Sequence, residues 1–229
     1  SIPSGSMIPT LEIGDRLFVN KVSYGLFIPF SANRMVRWSE PERGDVIVFT
    51  YRCEGDANEG EDYIKRIVAD EGDRVRLDDN KLFVNGKPVE TRELGTGDCD
   101  IFEPDRTGTS SRVGSCQCVR QEEIVGETRY MTQHMVPNHS LASFSRCPNR
   151  PDWPLERPFM SGKCRYFGEK ATNPDWPDVV VPPDHVFVMG DNRDRSEDGR
   201  YWGLVHRNDI KGTAFVVWWP LDRFFTWLN

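Results

Sequence analysis

Asp62-Tyr63-Ile64-Lys65-Arg66-Ile67-Val68 reads as one β-strand carrying two adjacent cations. Alternation along a strand puts Tyr63, Lys65 and Ile67 on one face and Asp62, Ile64, Arg66 and Val68 on the other. A lysine flanked on its own face by Tyr and Ile is partly desolvated, whereas Arg66 points the opposite way, toward a carboxylate partner. Desolvation disfavours the ammonium form, and buried lysines drop by roughly 3–5 units from about 10.4. A lysine that is neutral near neutral pH accepts a proton from a hydroxyl. The plainer alternative is a lysine that snorkels from a strand edge, its stem covered and its head in water.

Outward from this segment the chain continues as strands. Leu17-Phe18-Val19, Asp45-Val46-Ile47-Val48-Phe49, Lys81-Leu82-Phe83-Val84, Val179-Val180-Val181, Val186-Phe187-Val188-Met189 and Ala214-Phe215-Val216-Val217 are short, β-branched or aromatic. Turn formers such as Arg43-Gly44-Asp45 and Glu71-Gly72-Asp73 bound them. Asn85-Gly86 between Leu82-Phe83-Val84 and Lys87-Pro88-Val89 is the signature of a hairpin closed by a type I′ turn. No long stretch has helical periodicity, so helices are expected to be few and short. The fold class is mainly β.

Between Glu90 and Asp178 the character changes. Five of the six cysteines lie here (Cys99, Cys116, Cys118, Cys147 and Cys164; the sixth is Cys53), among many prolines, with a convincing strand only around Thr128-Arg129-Tyr130-Met131. The segment 90–178 is predicted to be an inserted, cysteine-rich β subdomain held by disulfides more than by a deep core, within a catalytic β core made of 1–89 and 179–229. No C-x-x-C pair or H-E-x-x-H occurs, so no metal site is expected. One to three disulfides in an oxidising compartment fit the cysteines best, with buried free thiols as the alternative.

The chain has 229 residues and a net charge of −7, which argues against nucleic acid as a partner. No apolar run is long enough to cross a bilayer. The sequence from Ala214 to Leu228 is nevertheless rich in aromatics, which favour the membrane interface. Phe27, Phe30, Trp218, Trp219, Phe224, Phe225 and Trp227 are the candidates for such a rim, a buried core being the alternative.

Two further segments carry candidate chemistry. Ser4-Gly5-Ser6-Met7-Ile8-Pro9-Thr10-Leu11 sets a serine between a glycine and a bulky apolar residue, after an extended Ile2-Pro3. Alone it is a serine in a turn. Met189-Gly190-Asp191-Asn192-Arg193-Asp194-Arg195-Ser196-Glu197-Asp198-Gly199-Arg200-Tyr201-Trp202-Gly203 runs from an apolar strand into a loop dense with opposite charges. Asp194, Ser196, Asp198 and Gly199 fit half of a calcium loop, but Val205 stands where its bidentate glutamate belongs. The four histidines lie in undistinguished contexts and no G-x-S-x-G elbow is present, which disfavours a Ser-His-Asp triad.

In this order, S-G-S-M-x-P-T-L, R-G-D-V-I-V-F, D-Y-I-K-R and G-D-N-R-D-x-S-x-D-G-R-Y-W-G resemble the motifs of bacterial type I signal peptidases, over about a third of the chain. The resemblance implies a signal-peptidase or LexA-like fold of antiparallel sheets and a serine endopeptidase that removes signal peptides after an A-x-A-like motif. It implies Ser6 as nucleophile, Lys65 as general base, Ser4 as a donor to the oxyanion and Ser196 as the hydroxyl that orients the lysine amine. Arg66 with Asp191, and Asp198 with Arg200, are the implied supporting ion pairs. Ile2, Pro3, Met7, Leu11, Val48, Asp62 and Ile64 match the substrate-binding positions. The implied partners are preprotein signal peptides and the lipid surface, with no cofactor and no partner subunit. The implied location is the bacterial inner membrane, with the catalytic region on the periplasmic or extracytoplasmic face. The resemblance further implies one or two transmembrane helices ahead of residue 1, so the chain is expected to lack its anchors. Self-cleaving repressors, conjugation-type processing peptidases and non-catalytic, disulfide-stapled binding modules are the competing readings.

Overall fold

The strand that carries Lys65 is β5 (Asp62–Ala69), and it lies inside the largest sheet of the molecule. In the computed structural model, the described residues are 1–21, 23–24, 26–27, 34–36, 39–53, 55–78, 81–104, 110–125, 128–136 and 178–228. Cys147, Cys164 and Phe30 lie outside them, as does the side chain of Phe27. The main sheet contains β1 (Arg16–Asn20), β4 (Val46–Thr50), β5, β13 (His185–Met189), β14 (Val205–His206), β15 (Ile210–Trp219) and β16 (Thr226–Trp227). Its order is β1-β15-β4-β5-β13-β14, with β16 also on β15, and every pairing is antiparallel.

Both the strands that flank β5 in sequence and distant ones cover it, which explains its nearly unbroken apolar second half. Ile67 packs with Ile47, Phe49, Val186, Val188 and Ile210. Val68 and Ala69 join Val75, Leu77, Leu82, Val84, Phe187 and Met189. Ile64 and Val48 pack against Ile2, Met7, Leu11, Val46, Ala214 and Val217. Full burial of such side chains stabilises by about 1.5–3 kcal/mol each, which makes this register hard to slip.

A second sheet has the order β12-β6-β7-β8, from β12 (Val179–Val180), β6 (Arg74–Asp78), β7 (Lys81–Val84) and β8 (Lys87–Pro88). The hairpin between β7 and β8 turns at Asn85 and Gly86 with φ of 55° and 75°, the left-handed pair that the type I′ turn requires. The short strands β2 (Leu26–Phe27) and β3 (Arg34–Val36) pair with each other. Helical structure is limited to α1 (Gly199–Trp202) and 3₁₀ turns among the described residues.

The cysteine-rich part contains more strand than its composition predicts. β9 (Glu90–Pro104) and β10 (Ser110–Val125) are 15 and 16 residues long, and β11 (Thr128–Met135) completes a three-stranded sheet. Gly, Asp and Ser have poor strand propensity, and here cross-strand pairing over most of both strands overrides it. Cys99–Cys118 joins β9 to β10, and Cys53 and Cys116 are also disulfide-bonded.

One end of this sheet is bolted to the loop that follows β13. Glu123 and Arg193, both about 1% exposed, form a two-point ion pair, and Tyr130 Oη donates to the same carboxylate at 2.8 Å. The Gln133 amide donates to the carbonyl of Asp191, and the Met135 amide to the carboxylate of Asp194. Removing one partner of a buried pair strands the other charge, at about 3–5 kcal/mol. Glu123→Ala should therefore lower the urea midpoint at unchanged slope, by a stability loss of that size. The double change Glu123→Met with Arg193→Met should recover most of it. A single-variant loss below about 1 kcal/mol would show the pair to be solvated.

Candidate active site

Residues 1–11 form a compact, mostly irregular segment that turns Ile2, Met7 and Leu11 inward. Ile2, Met7 and Leu11 are core residues, and the Leu11 amide donates to the Met7 carbonyl. Ser6 rides on this turn, 8% exposed. Lys65 reaches it from the middle of β5, with Nζ 2.8 Å from Ser6 Oγ and 3.0 Å from the Ile64 carbonyl oxygen. The Tyr63 ring lies 5.6 Å from Nζ, itself stacked on Tyr51. Burial lowers the Lys65 amine to about 8, although Asp198, Asp191 and Glu197 pull the other way. Losing hydration costs the ammonium more than these carboxylates return across their distance.

The neighbouring cation meets the opposite fate. Arg66, fully buried on the other face of β5, binds Asp191 through two bonds of 2.9 and 2.8 Å and donates to the Gly44 carbonyl. Thr10 donates to the same carboxylate, and the Tyr130 ring covers the guanidinium at 4.3 Å. Asp198 and Arg200 form a second buried pair at 2.8 and 2.9 Å. Burial would raise the Asp198 carboxyl, but the Arg200 charge outweighs it, and the amide of Gly190 helps hold it below its usual range. Two arginines kept charged beside one lysine allowed to be neutral is a matter of partners.

Gly190 is the tightest point. A Cβ there would meet Ser196 Oγ at 2.2 Å and the Ser6 carbonyl oxygen at 2.4 Å, so only glycine lets this loop lie against the Ser6 turn. Ser196 is 1% exposed, and among the described residues its Oγ reaches hydrogen-bond geometry with neither Lys65 nor any other group, although it stands near enough to Asp198 to favour the carboxylate. The expected Ser196 bond to the lysine amine is thus absent here, and Ser6 and Ile64 are the partners instead. Ser4 Oγ lies 3.4 Å from Ser6 Oγ at the cleft mouth.

Two clefts meet along the start of β5. One, about 570 Å³, holds Ser4, Ser6, Lys65, Asn192 and Ser196, and the other, about 560 Å³, holds Ile2, Leu17, Val48 and Trp218. Pro3, Asp62, Tyr63 and Ile64 line both. Met7 and Leu11 are fully buried beneath and line neither. Trp219, Phe224, Phe225 and Trp227 are 44–66% exposed, whereas Trp218 is half-buried under Arg16. Thr10, Tyr130, Gly190 and Asn192 also belong to this site without having been singled out from sequence. Thr10, Gly190 and Asn192 lie within the motif segments and Tyr130 within the strand around 128–131, but no local pattern marks their contacts.

The family model described as "Signal peptidase, peptidase S26" matches residues 1–219. Signal peptidase I of Pseudomonas fluorescens is 34% identical over 96% of this chain and 64% of its own length, and that of Pseudomonas aeruginosa 33% over the same shares. Signal peptidase I of Aquifex aeolicus is 34% identical over 96% of this chain and 74% of its own. The chain thus spans a little under two thirds of the length of the two Pseudomonas relatives.

Lys65 should be set apart from the other lysines in a ¹³Cε NMR titration. Its midpoint is expected at about 8, against about 10.4 for a solvated lysine. A midpoint above about 10 would mean that the amine is hydrated.

Proposed function

Since the chain belongs to the signal peptidase family S26, we propose that it is a membrane-associated serine endopeptidase that removes signal peptides from exported preproteins, with Ser6 as nucleophile and Lys65 as general base. The observation that carries this reading is the 2.8 Å approach of a buried, deprotonation-prone lysine to a serine hydroxyl. In that setting the Nζ lone pair takes the Ser6 proton as Oγ attacks the scissile carbonyl carbon. The tetrahedral oxyanion accepts from the Ser6 amide and the Ser4 hydroxyl, each such donor contributing about 10²–10³ in turnover. The lysine ammonium then protonates the leaving amine. In the second half, Lys65 deprotonates a water that attacks the acyl-enzyme and frees Ser6.

The start of β5 supports a mode of substrate binding. β4 pairs with the whole length from Asp62 to Arg66, but β13 pairs only with Arg66, Ile67 and Ala69. Among the described residues the β13 side of residues 62–65 thus has no strand partner, and it can accept an extended peptide as an added strand. Ile2, Val48 and Ile64 beside this edge leave shallow apolar room, which suits the small residues of an A-x-A-like motif. The exposed aromatics at the end of β15 and beyond would rest at the lipid interface, with the chain acting as a monomer on the extracytoplasmic face. Among the described residues no helix is long and apolar enough to cross a membrane. Residues 1–89 and 179–229 would form the catalytic unit, with 90–178 as its insertion.

Lys65→Met should abolish preprotein cleavage while leaving the fold intact, and retained cleavage would sink the Ser-Lys mechanism. The active form of Lys65 is the neutral one, so the rate should climb through about pH 8 and level off above it. At pH 7 roughly a tenth of the molecules would hold the neutral amine. A pH–rate profile flat from acid to alkali would contradict the assignment. Gly190→Ala should lower turnover by about 10²-fold or more, because its methyl displaces the Ser6 carbonyl.

A further inference from the structure

Resting on the Ser-Lys reading, we propose that Asn192 is a positioning residue that aims the Ser6 amide at the oxyanion by gripping the two peptide planes on either side of Ser6. Its side-chain Nδ2 donates to the Gly5 carbonyl oxygen at 2.9 Å, and its backbone amide donates to the Ser6 carbonyl oxygen at 3.1 Å. These are successive carbonyls of the nucleophile turn. In a trans peptide the carbonyl oxygen and the following N–H point to opposite sides of the bond. Holding the Gly5 oxygen toward Asn192 therefore turns the Ser6 N–H away from Asn192. Holding the Ser6 oxygen as well fixes the plane on the other side of the Ser6 Cα, and with it the direction of Cβ.

Asn192 is itself held from three directions. Its carbonyl accepts from the Arg195 amide, closing a 3₁₀ turn behind it. Asp191, one residue before, is fixed by Arg66 and by the Gln133 amide of β11. Gly190, two residues before, has no side chain to hold the loop off the Ser6 carbonyl. The residue is 2% exposed and lines the same cleft as Ser6, Lys65 and Ser4. Among the described residues its Oδ1 has no hydrogen-bond partner, so there the amide group is oriented by its donor side. The side chain acts on the backbone of the nucleophile and needs no contact with substrate.

The test is preprotein cleavage by the wild-type chain and by Asn192→Ala and Asn192→Asp, with kcat, KM and pH profile measured separately. Asn192→Ala removes the grip on Gly5 and should lower kcat by about 10–100-fold, since small misplacements of reacting groups cost up to about 10². KM should stay within about threefold, and the rise through about pH 8 should persist because the surroundings of Lys65 are unchanged. Asn192→Asp keeps the volume but sets a carboxylate oxygen against the Gly5 oxygen, and should lose more than Asn192→Ala. Should Asn192→Ala fail to fold, as judged by urea unfolding, the isosteric Asn192→Asp carries the test. A kcat within about twofold of wild type in both, or a raised KM at full kcat, would overturn the proposal and leave the Ser-Lys reading standing. A wild-type chain that cleaves no preprotein in detergent would overturn both.

Discussion

A lysine amine gives up its proton near neutral pH only when it is kept out of water, and most of the architecture around Lys65 has that effect. An ammonium in bulk water holds its proton to about pH 10.4, so the needed shift must come from desolvation or from neighbouring cations. Here carboxylates lie nearby and oppose the shift, and burial, with a smaller push from the Arg200 charge, brings the amine to about 8. That burial needs a strand covered on both faces, which β5 is, and a lid over the amine, which the turn of residues 4–10 provides. The seven-stranded sheet and the folded N-terminal segment are thus conditions on one proton equilibrium.

Burying one cation next to another creates a conflict that strand alternation resolves. Lys65 and Arg66 are adjacent in sequence, yet their side chains leave β5 on opposite faces. Arg66 meets Asp191, Thr10 and the Tyr130 ring and stays charged. Lys65 meets a hydroxyl, a carbonyl and an aromatic ring, none of which needs the positive charge. The same Asp191 that neutralises Arg66 begins the loop that grips Ser6. The charge pair on one face and Ser6 on the other are therefore positioned by a single segment, 190–194. The three-stranded sheet meets that segment through Glu123, Gln133 and Met135, none of which enters the cleft.

How much of this was legible in the sequence follows from the range of the signals. The strands of the main sheet announce themselves locally, through β-branched runs and turn residues, and Asn85-Gly86 specifies its own hairpin. The faces of β5 also follow from alternation. β9 and β10 do not announce themselves, because both faces of much of this ribbon are solvated and no alternating apolar pattern marks them. Ser6 and Lys65 are 59 positions apart, so their pairing was legible only through the resemblance of four ordered motifs. Asn192 and Glu123 escaped for another reason. Their importance lies in which carbonyl or guanidinium they face, and no local pattern encodes that. Met7 and Leu11 show the converse, as motif positions that proved to be floor and not wall.

The position of the aromatic rim relative to the cleft ties the two halves of the molecule together. β15 runs between β1 and β4, so its C-terminal end emerges beside the cleft that contains Val48 and Ile64. Trp218, near that end, lines the cleft, and the next residue, Trp219, is already exposed. Beyond it the chain folds back through Phe224 and Phe225, in edge-to-face contact with each other, to β16, which pairs with β15 again. Exposed indole and phenyl rings are costly in water and favourable at a lipid headgroup boundary. On the proposed reading, a surface resting there on these rings would hold the mouth of the cleft close to the bilayer. A preprotein whose apolar segment was still in the lipid would then need only a short extended stretch to reach Ser6. The tail of the chain and the open edge of β5 are in this sense one device, because the strand that carries the rings also helps to wall the groove.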